Sequence, residues 1–178
     1  MTAPGTRQML PMLTERLTIR ELDESDAPFL LELLNDPGFI TYIADRGVRT
    51  LDDALAYLRT GPQAMIAQHG YGLWRVALTD SDEPIGICGI LKRESLPDPD
   101  LGYAILSRYC GHGYAHEAAS ATLTYAREQL AVGRILAITA MENPASIRLL
   151  EKLGFEFEEV RQLPGIAAQS RVFSSVVG

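Results

Sequence analysis

The segment from Ser107 to Ala118, which reads SRYCGHGYAHEA, combines residue types that favour binding of an anion. It follows an apolar stretch and opens a long helical pattern. Glycine at 111 and 113 lets backbone N–H groups turn toward a ligand without a Cβ in the way. The first turn of a helix adds unpaired N–H groups and a partial positive charge. The segment therefore predicts a cradle for a phosphate or pyrophosphate, to which Arg108 adds a charge-assisted contact.

Other interpretations of this segment are open. A glycine-containing turn between a strand and a helix can simply connect the two elements without binding a ligand. A Rossmann fingerprint requires Gly or Ala where His116 stands, and a P-loop requires Gly-Lys-Ser/Thr where Tyr114 and Ala115 stand. Cys110, His112 and His116 lack a further ligand at metal-site spacing, so we expect no metal. A nucleotide-binding protein that uses the same glycine loop remains an alternative.

The composition excludes several classes of protein. A net charge of −7 argues against nucleic-acid binding through phosphate neutralisation. No apolar run reaches the roughly 20 residues of a membrane helix, so we expect no membrane segment. Two cysteines are too few for a disulfide framework, and the first ten residues lack a secretory pattern, which predicts a cytoplasmic location. The length predicts one domain over residues 1–178, with a flexible arm at 1–12.

Charge is distributed unevenly along the chain. Residues 1–89 contain 7 Lys+Arg and 13 Asp+Glu, a net of −6, whereas residues 90–178 contain 9 and 10, a net of −1. An acidic half favours a cationic partner, and a near-neutral half accepts an anionic ligand more readily. A solvated acidic surface that aids solubility explains the same distribution.

The hydrophobic pattern predicts a mixed α/β chain. Its order is strand, two helices, three strands, helix, strand, helix and two strands. Strands are predicted at 16–21, 71–78, 85–91, 101–106, 135–139, 155–160 and 171–177. Helices are predicted after Asp23 or Ser25, from Thr50 to near Gly61-Pro62, over 113–130, and from Asn143-Pro144 to Gly154.

Arg108, Gly111, Gly113 and Ala115 form the motif R-x-x-G-x-G-x-A, which resembles the acetyl-coenzyme A motif of the GNAT N-acetyltransferase superfamily. ENPASIRLLEKLGFE resembles the second cofactor motif of that family, and TERLTIREL, EPIGICGI and LGYAIL resemble its first, third and fourth strands. The branch it resembles is the Rim-type, which acetylates ribosomal-protein N-termini and similar amines. The resemblance implies a mixed, mostly antiparallel twisted sheet of about seven strands, flanked by about four helices and splayed between strands 4 and 5.

The resemblance also implies an enzyme, an acyltransferase that passes the acetyl group of acetyl-CoA directly to a primary amine in a ternary complex. A bulge near Ala104 to Leu106 would free backbone groups for the pantetheine arm and the acetyl carbonyl. The pyrophosphate would lie on the N–H groups from Arg108 through Ala115, and Asn143 would bond the arm. The implied cofactor-binding residues are Ala104, Ile105, Leu106, Arg108, Gly111, His112, Gly113, Tyr114, Ala115, Asn143 and Ser146.

The candidate catalytic residues follow from the same resemblance. Many family members protonate the leaving thiolate with a Tyr in the second motif, but Leu150 occupies that place here. Rim-type members carry a Ser where Ser146 stands, so Ser146 is the candidate acid, with water as the alternative. Asp100, which begins the fourth strand, is the candidate base. Glu94 and Asp98 in the preceding loop are alternatives, and all three carboxylates are also explained as solvated loop charges.

Several points stay open at this stage. Asn143 followed by Pro is equally a good helix N-cap. The missing Tyr at 150 and the unassigned base leave a non-catalytic acyl-CoA-binding sensor or interaction module as the alternative function. Direct transfer predicts that Cys88 and Cys110 are not nucleophiles. The acidic N-terminal half favours a cationic amine acceptor, and dimers are common in the family, so a homodimer is among the expected assemblies.

Overall fold

Eight strands form a single sheet in the computed structural model, which describes residues 10–176. The strands are β1 (Met12–Leu13), β2 (Leu17–Arg20), β3 (Leu73–Leu78), β4 (Pro84–Leu91), β5 (Asp100–Ile105), β6 (Arg134–Ala140), β7 (Glu156–Arg161) and β8 (Ser170–Val176). Their spatial order is β1-β2-β3-β4-β5-β6-β8-β7. Every neighbouring pair is antiparallel except β5 and β6, which are parallel.

The helical segments are α1 (Ala27–Leu34), α2 (Pro37–Tyr42), α3 (Leu51–Leu58), α4 (Ala64–His69), α5 (Tyr114–Gln129) and α6 (Pro144–Lys152). A π-helical turn at Arg59–Gln63 joins α3 to α4 and contains Pro62. A proline lacks the N–H that an α-helical bond needs, and the wider turn accommodates it. The prediction that this helix ends near Gly61-Pro62 is therefore wrong, because the chain stays helical to His69.

Two helical layers cover the two faces of the sheet. Alternation along β5 decides which of its side chains meets each layer. Leu101 and Tyr103 pack in the cluster formed with α5 and α6. Ala104 and the adjacent Leu106 pack in the cluster formed with α1 and α3. The acidic N-terminal half of the sequence thus supplies one whole layer, and the two predicted cofactor motifs supply the other.

The parallel strands β5 and β6 separate soon after they begin. Their ladder contains a single register pair, Asp100 with Leu136. On its other edge β5 stays paired with β4 from Asp100 to Ile105 without a register shift. The expected splay is therefore confirmed, but the bulge expected near Ala104 to Leu106 is wrong.

Glycine at position 86 of β4 allows the end of β5 to approach closely. A Cβ at Gly86 would collide with the Ala104 carbonyl oxygen and would lie 2.6 Å from Cδ1 of Ile105. Only glycine permits so close an approach. The end of β5 therefore lies close against β4 at this point, where its ladder with β6 has already ended.

The predicted mixed, mostly antiparallel class is confirmed, with eight strands and six α-helical segments where about seven and about four were expected. The sequence Asn35-Asp36-Pro37-Gly38 is typical of a helix stop, and α1 does end at Leu34; Asp36 then caps a further short helix, α2, which Pro37 starts. Met12, which the predicted arm included, lies in β1 with a buried side chain. Residues 1–9 of that arm lie outside the described residues. Within residues 10–176, no helix combines the length and apolar character that crossing a membrane requires.

Candidate functional site

Helix α5 begins at the predicted glycine cradle. Gly111 and Gly113 have φ values of +83° and +82°, in the left-handed region that favours glycine. No described side chain caps α5, whereas Thr50 caps α3 and Asp36 caps α2. The first-turn N–H groups of α5 are therefore available to an anion, which the helix dipole also attracts.

The open edge of β5 leads toward this cradle. The N–H of Leu106 donates to Ile85 of β4 at 2.8 Å. Peptide groups alternate sides along a strand, so those of Tyr103 and Ile105 face the other side, where the ladder with β6 has ended. The thiol of Cys110 lies 3.7 Å from the Ile105 carbonyl oxygen. The N–H and C=O of Tyr103 and the N–H of Ile105 therefore have no hydrogen-bond partner in the ladder. An extended ligand arm requires such unpaired backbone groups in order to bind along the strand.

Tyr103 and Ser146 meet across this opening. Their hydroxyl oxygens lie 2.5 Å apart and join β5 to the first turn of α6. Burial raises the pKa of Tyr103 to about 12, although the hydrogen bond with Ser146 acts in the opposite direction. The phenol therefore stays protonated at neutral pH. The sequence is compatible with both a core position and a site position for Tyr103; its one distinguishing signal is a hydroxyl within an apolar strand that precedes the cradle.

A second buried hydroxyl lies on the same face. Alternation along β6 places Thr139 on the same face as Ile135 and Ala137, which pack in the cluster that also contains Tyr103. Thr139 is 6% exposed, and its hydroxyl has no hydrogen-bond partner among residues 10–176. A buried hydroxyl without a partner destabilises a fold by about 1–3 kcal/mol. Such a defect is typical of a functional site, and sequence analysis did not single out Thr139.

Asp36 fixes the start of the cradle from the other layer. Its carboxylate accepts hydrogen bonds from the backbone N–H of Ser107 at 3.0 Å and from the Ser107 hydroxyl, and it also caps α2 through the N–H of Gly38 at 3.0 Å. Partial burial would raise the pKa of Asp36, but the bonds from Ser107 and Gly38 lower it below its ordinary value. The connection between α1 and α2 is thereby tied to the end of β5.

The structure places Asp100 at the closed end of the β5–β6 pair. Its side chain is fully buried, and Nε of Arg93 donates to its two carboxylate oxygens at 3.1 and 3.2 Å. Burial raises the pKa of Asp100, while the charge of Arg93 lowers it; the net direction is upward. Because Asp100 and Tyr103 are three residues apart on a strand, their side chains point to opposite faces of the sheet. The structure does not bring Asp100 and Ser146 together.

Two further predicted residues are engaged elsewhere. Arg108 pairs with Glu32 of α1 and lies 3.7 Å from Glu83, so its guanidinium points away from the cradle. Asp98 pairs with Arg134 at 2.9 Å. Their predicted roles in the site stay predictions. Glu94 is exposed.

Asn143 forms the N-cap of α6. Its Oδ1 accepts a hydrogen bond from the N–H of Ser146 at 3.3 Å, which is the capping interpretation of the sequence. Its Nδ2 donates to no group among residues 10–176, so an amide donor remains for a ligand. The side chains of Ala104 and Leu106 are buried in the core, and only their backbone can contact a ligand. His112 is exposed, and Tyr114 and Ala115 are half-buried.

Neither cysteine has the character of a nucleophile. Burial raises the pKa of Cys88 to about 12. Burial, followed by the charge of Asp36, also raises the pKa of Cys110. A reactive thiolate requires the opposite shift. In the part of the chain that the structure describes, no three His, Cys, Asp and Glu side chains converge as a metal site would require.

Comparison with known proteins identifies the family. A model of the acetyltransferase (GNAT) domain matches residues 16–156. The chain belongs to the GNAT acetyltransferase family. This GNAT chain is 31% identical over 145 residues to YnaD of Bacillus subtilis, named an uncharacterized N-acetyltransferase, with 82% of each chain covered. An acetyltransferase from Agrobacterium tumefaciens str. C58 superposes with a TM-score of 0.78 at 25% identity, covering 94% of this chain and 95% of that one.

The fold is also similar to that of a Rim-type acetyltransferase. RimL, a ribosomal L7/L12 alpha-N-protein acetyltransferase solved in complex with coenzyme A, superposes with a TM-score of 0.79. The alignment covers 93% of this chain and 97% of RimL at 17% identity, and it therefore shows a common fold. GNAT acetyltransferases take the acetyl group from acetyl-CoA. The chain is thus an acyltransferase of that kind.

Proposed function

We propose that this GNAT acetyltransferase passes the acetyl group of acetyl-CoA directly to a primary amine, either a protein N-terminus or a small-molecule amine, in a ternary complex. One observation carries the proposal. The uncapped start of α5 and the unpaired edge of β5 lie end to end, and Ser146 and Asn143 border the same opening. An anionic group at one end and an extended amide-containing arm along the other match this arrangement.

The cofactor residues are assigned by the group that each contributes. The N–H groups of the segment from Arg108 through Ala115, including Gly111, His112, Gly113 and Tyr114, hold the diphosphate. The backbone of Ala104, Ile105 and Leu106 borders the pantetheine arm, because two of these side chains are core residues. The free Nδ2 of Asn143 donates to an amide carbonyl of the arm. When bound, the co-substrate supplies the thioester that carries the acetyl group.

Ser146 donates the proton that the leaving thiolate receives, and Tyr103 holds the Ser146 hydroxyl in place. Leu150, at the place where other family members carry a Tyr, is fully buried and apolar. Two observations support the Ser146 hydroxyl as the proton donor at the opening: its place in the sequence motif and its contact with Tyr103. Water in the opening is the alternative donor.

Asp100 accepts one of the two protons that the ammonium group of the acceptor loses, and the other passes through water to the Ser146 hydroxyl, which has given its own proton to the thiolate. A carboxylate with a raised pKa is a stronger base than an ordinary one, which suits this task near neutral pH. It lies on the face covered by α1 and α3, opposite to the face of Ser146. Proton transfer to Asp100 weakens its ion pair with Arg93.

The amine acceptor is proposed to be cationic before it reacts. Residues 1–89 carry a net charge of −6 and supply α1 and α3, the helices that cover the face of the sheet on which Asp100 lies. An acidic surface raises the local concentration of a cation. A homodimer is the assembly that the family resemblance favours, and sedimentation analysis of the purified chain tests it.

The deciding experiment is a panel of amines incubated with the purified chain and acetyl-CoA. Free thiol release is followed, and each product is identified by mass spectrometry. The panel contains peptides with free and blocked N-termini, aminoglycosides, polyamines and amino acids. Acetylation of a primary amine supports the proposal. Tight binding of CoA without turnover of any amine would favour the sensor, and stabilisation by ATP or NAD but not CoA would favour a nucleotide-binding protein.

A further inference from the structure

The short segment between β1 and β2, residues 14–16, is hydrogen-bonded to the first turn of α5. The hydroxyl of Thr14 donates to Oε1 of Glu117 at 2.6 Å, and the backbone N–H of Arg16 donates to the same oxygen at 2.8 Å. Nε of Arg16 donates to Oε2 at 2.8 Å. Partial burial would raise the pKa of Glu117, but these bonds lower it, so the carboxylate stays ionised.

This anchor directs the guanidinium of Arg16 onto the cradle. Its Nη1 donates to the carbonyl oxygen of His112 at 2.9 Å, and its Cζ lies 4.4 Å from the ring centroid of Tyr114. Its Nη2 lies 3.4 Å from the position that a Cβ on Gly113 would occupy. Three groups therefore fix the orientation of this side chain before any ligand arrives.

One donor group of this guanidinium is left over. Nη2 of Arg16 has no hydrogen-bond partner within the described residues, and the side chain is 42% exposed. Arg16, Gly113 and His116 line the same surface groove. An oriented, solvated guanidinium donor beside a glycine cradle suits a phosphate oxygen. Arg108, the arginine predicted for this task, is paired with Glu32 instead.

We propose that Arg16 is a cofactor-binding residue, whose Nη2 donates to the diphosphate of CoA held on the cradle. The inference rests on the proposed function, because it requires CoA at this site. It assigns Glu117 and Thr14 as positioning residues that hold Arg16 in place. The anion is thus bound by N–H groups of α5 and by a charge from a segment about 100 residues earlier in the chain.

The test compares CoA with pantetheine, which lacks the diphosphate and the adenosine. Dissociation constants of both ligands are measured by calorimetry for the wild type, Arg16→Gln and Arg16→Lys. Arg59→Gln is the matched control, because Arg59 is an exposed arginine paired with Glu24. We expect Arg16→Gln to weaken CoA binding about tenfold and to leave pantetheine binding unchanged. Arg16→Lys keeps the charge and should show a smaller loss, and Arg59→Gln should bind both ligands like the wild type.

Thr14→Val distinguishes a direct contact of the Arg16 charge with CoA from a purely structural role of the segment between β1 and β2. It removes one bond to Glu117 but leaves the guanidinium, so it should change CoA binding less than Arg16→Gln does. Equal CoA affinity in the wild type and Arg16→Gln would overturn the role of Arg16 alone. An equal loss of affinity for CoA and pantetheine would also overturn it, because a purely structural role of Arg16 would weaken the binding of both ligands. A wild-type chain that binds neither ligand would overturn the proposed function itself.

Discussion

The hydroxyl groups of Tyr103 and Ser146 form a hydrogen bond across the opening between β5 and β6, although they are 43 residues apart in sequence. Tyr103 comes from the strand and Ser146 from the first turn of α6. The bond holds the Ser146 hydroxyl in position, and Ser146 is the one hydroxyl side chain in the second motif. It also gives the proposed acid a partner whose removal can be tested separately.

Removal of the Ser146 hydroxyl should slow catalysis more than it weakens binding. We expect Ser146→Ala to lower kcat by about 10²- to 10⁴-fold, as loss of a general acid does, with KM for acetyl-CoA changed little. Tyr103→Phe should give a smaller loss, and the double variant should lose less than the product of the two, because both act on one group. Steady-state thiol release with the best amine of the panel measures these values. A full kcat in Ser146→Ala would assign protonation to water.

The pH dependence of the reaction should report Asp100. Burial raises its pKa, so the rate should rise with pH through a value above the ordinary range of an aspartate, as the carboxyl loses its proton and becomes a base. The same shift acts on stability with the opposite sign. The folded state holds this proton more tightly than the unfolded state, so this contribution to stability is lost as pH rises through the folded pKa.

Asp100→Asn should remove both effects. We expect a slow variant without the acid limb of the pH–rate profile. Asp98→Asn tests the alternative base, because Asp98 lies in the loop before β5 and pairs with Arg134. An unchanged profile in Asp100→Asn would transfer the role of base to water or to another carboxylate.

Gly113→Glu should weaken CoA binding more than it destabilises the fold. The variant places a side chain and a negative charge on the cradle at a φ of +82°, which strains any residue but glycine by about 1–2 kcal/mol. Gly165→Glu is the matched control, because Gly165 has a φ of +77° and open space around it, away from the cradle. Thermal melts should show similar losses of stability. Calorimetry should show at least a tenfold loss of CoA affinity for Gly113→Glu alone, and unchanged affinity would contradict the cradle.

Cys110→Ala should keep its activity within about twofold of the wild type, because direct transfer forms no acyl-enzyme. The pKa of the Cys110 thiol is raised, and the thiol contacts the carbonyl oxygens of Ile105 and Leu106 at 3.7 and 3.6 Å. Intact-protein mass spectrometry after brief mixing with acetyl-CoA provides the direct check. A trapped thioacetyl group on Cys110 would overturn direct transfer.

Thr139→Val should stabilise the free protein. The substitution replaces a buried hydroxyl that has no partner among the described residues with a methyl group of similar size. The free energy of unfolding should increase by about 1 kcal/mol, which raises Tm by roughly 2–4 °C for a chain of this length. Thr122→Val serves as the control, because the buried Thr122 hydroxyl contacts the Cys88 sulfur at 3.3 Å. A gain in Thr122→Val, or a loss in Thr139→Val, would contradict this explanation.

The sequence by itself determined the features that depend on neighbouring residues. Glycine at 111 and 113 specified a left-handed backbone, and Asn143 followed by Pro specified the start of α6. Alternating and helical periodicities specified most elements and the mixed class of the sheet. Each of these depends on conformational preferences that a few adjacent residues impose on the backbone, so a short motif is enough to predict them.

Only the tertiary structure decided which side chains meet. Arg16 contacts Glu117 across 101 residues, and Asp36 contacts Ser107 across 71. The strands β5 and β6 separate after one register pair without the bulge that local reasoning predicted. Arg108 carries the charge expected at the cradle, yet Glu32 holds it elsewhere. Such pairings are set by how whole elements pack and register, and no local pattern records them.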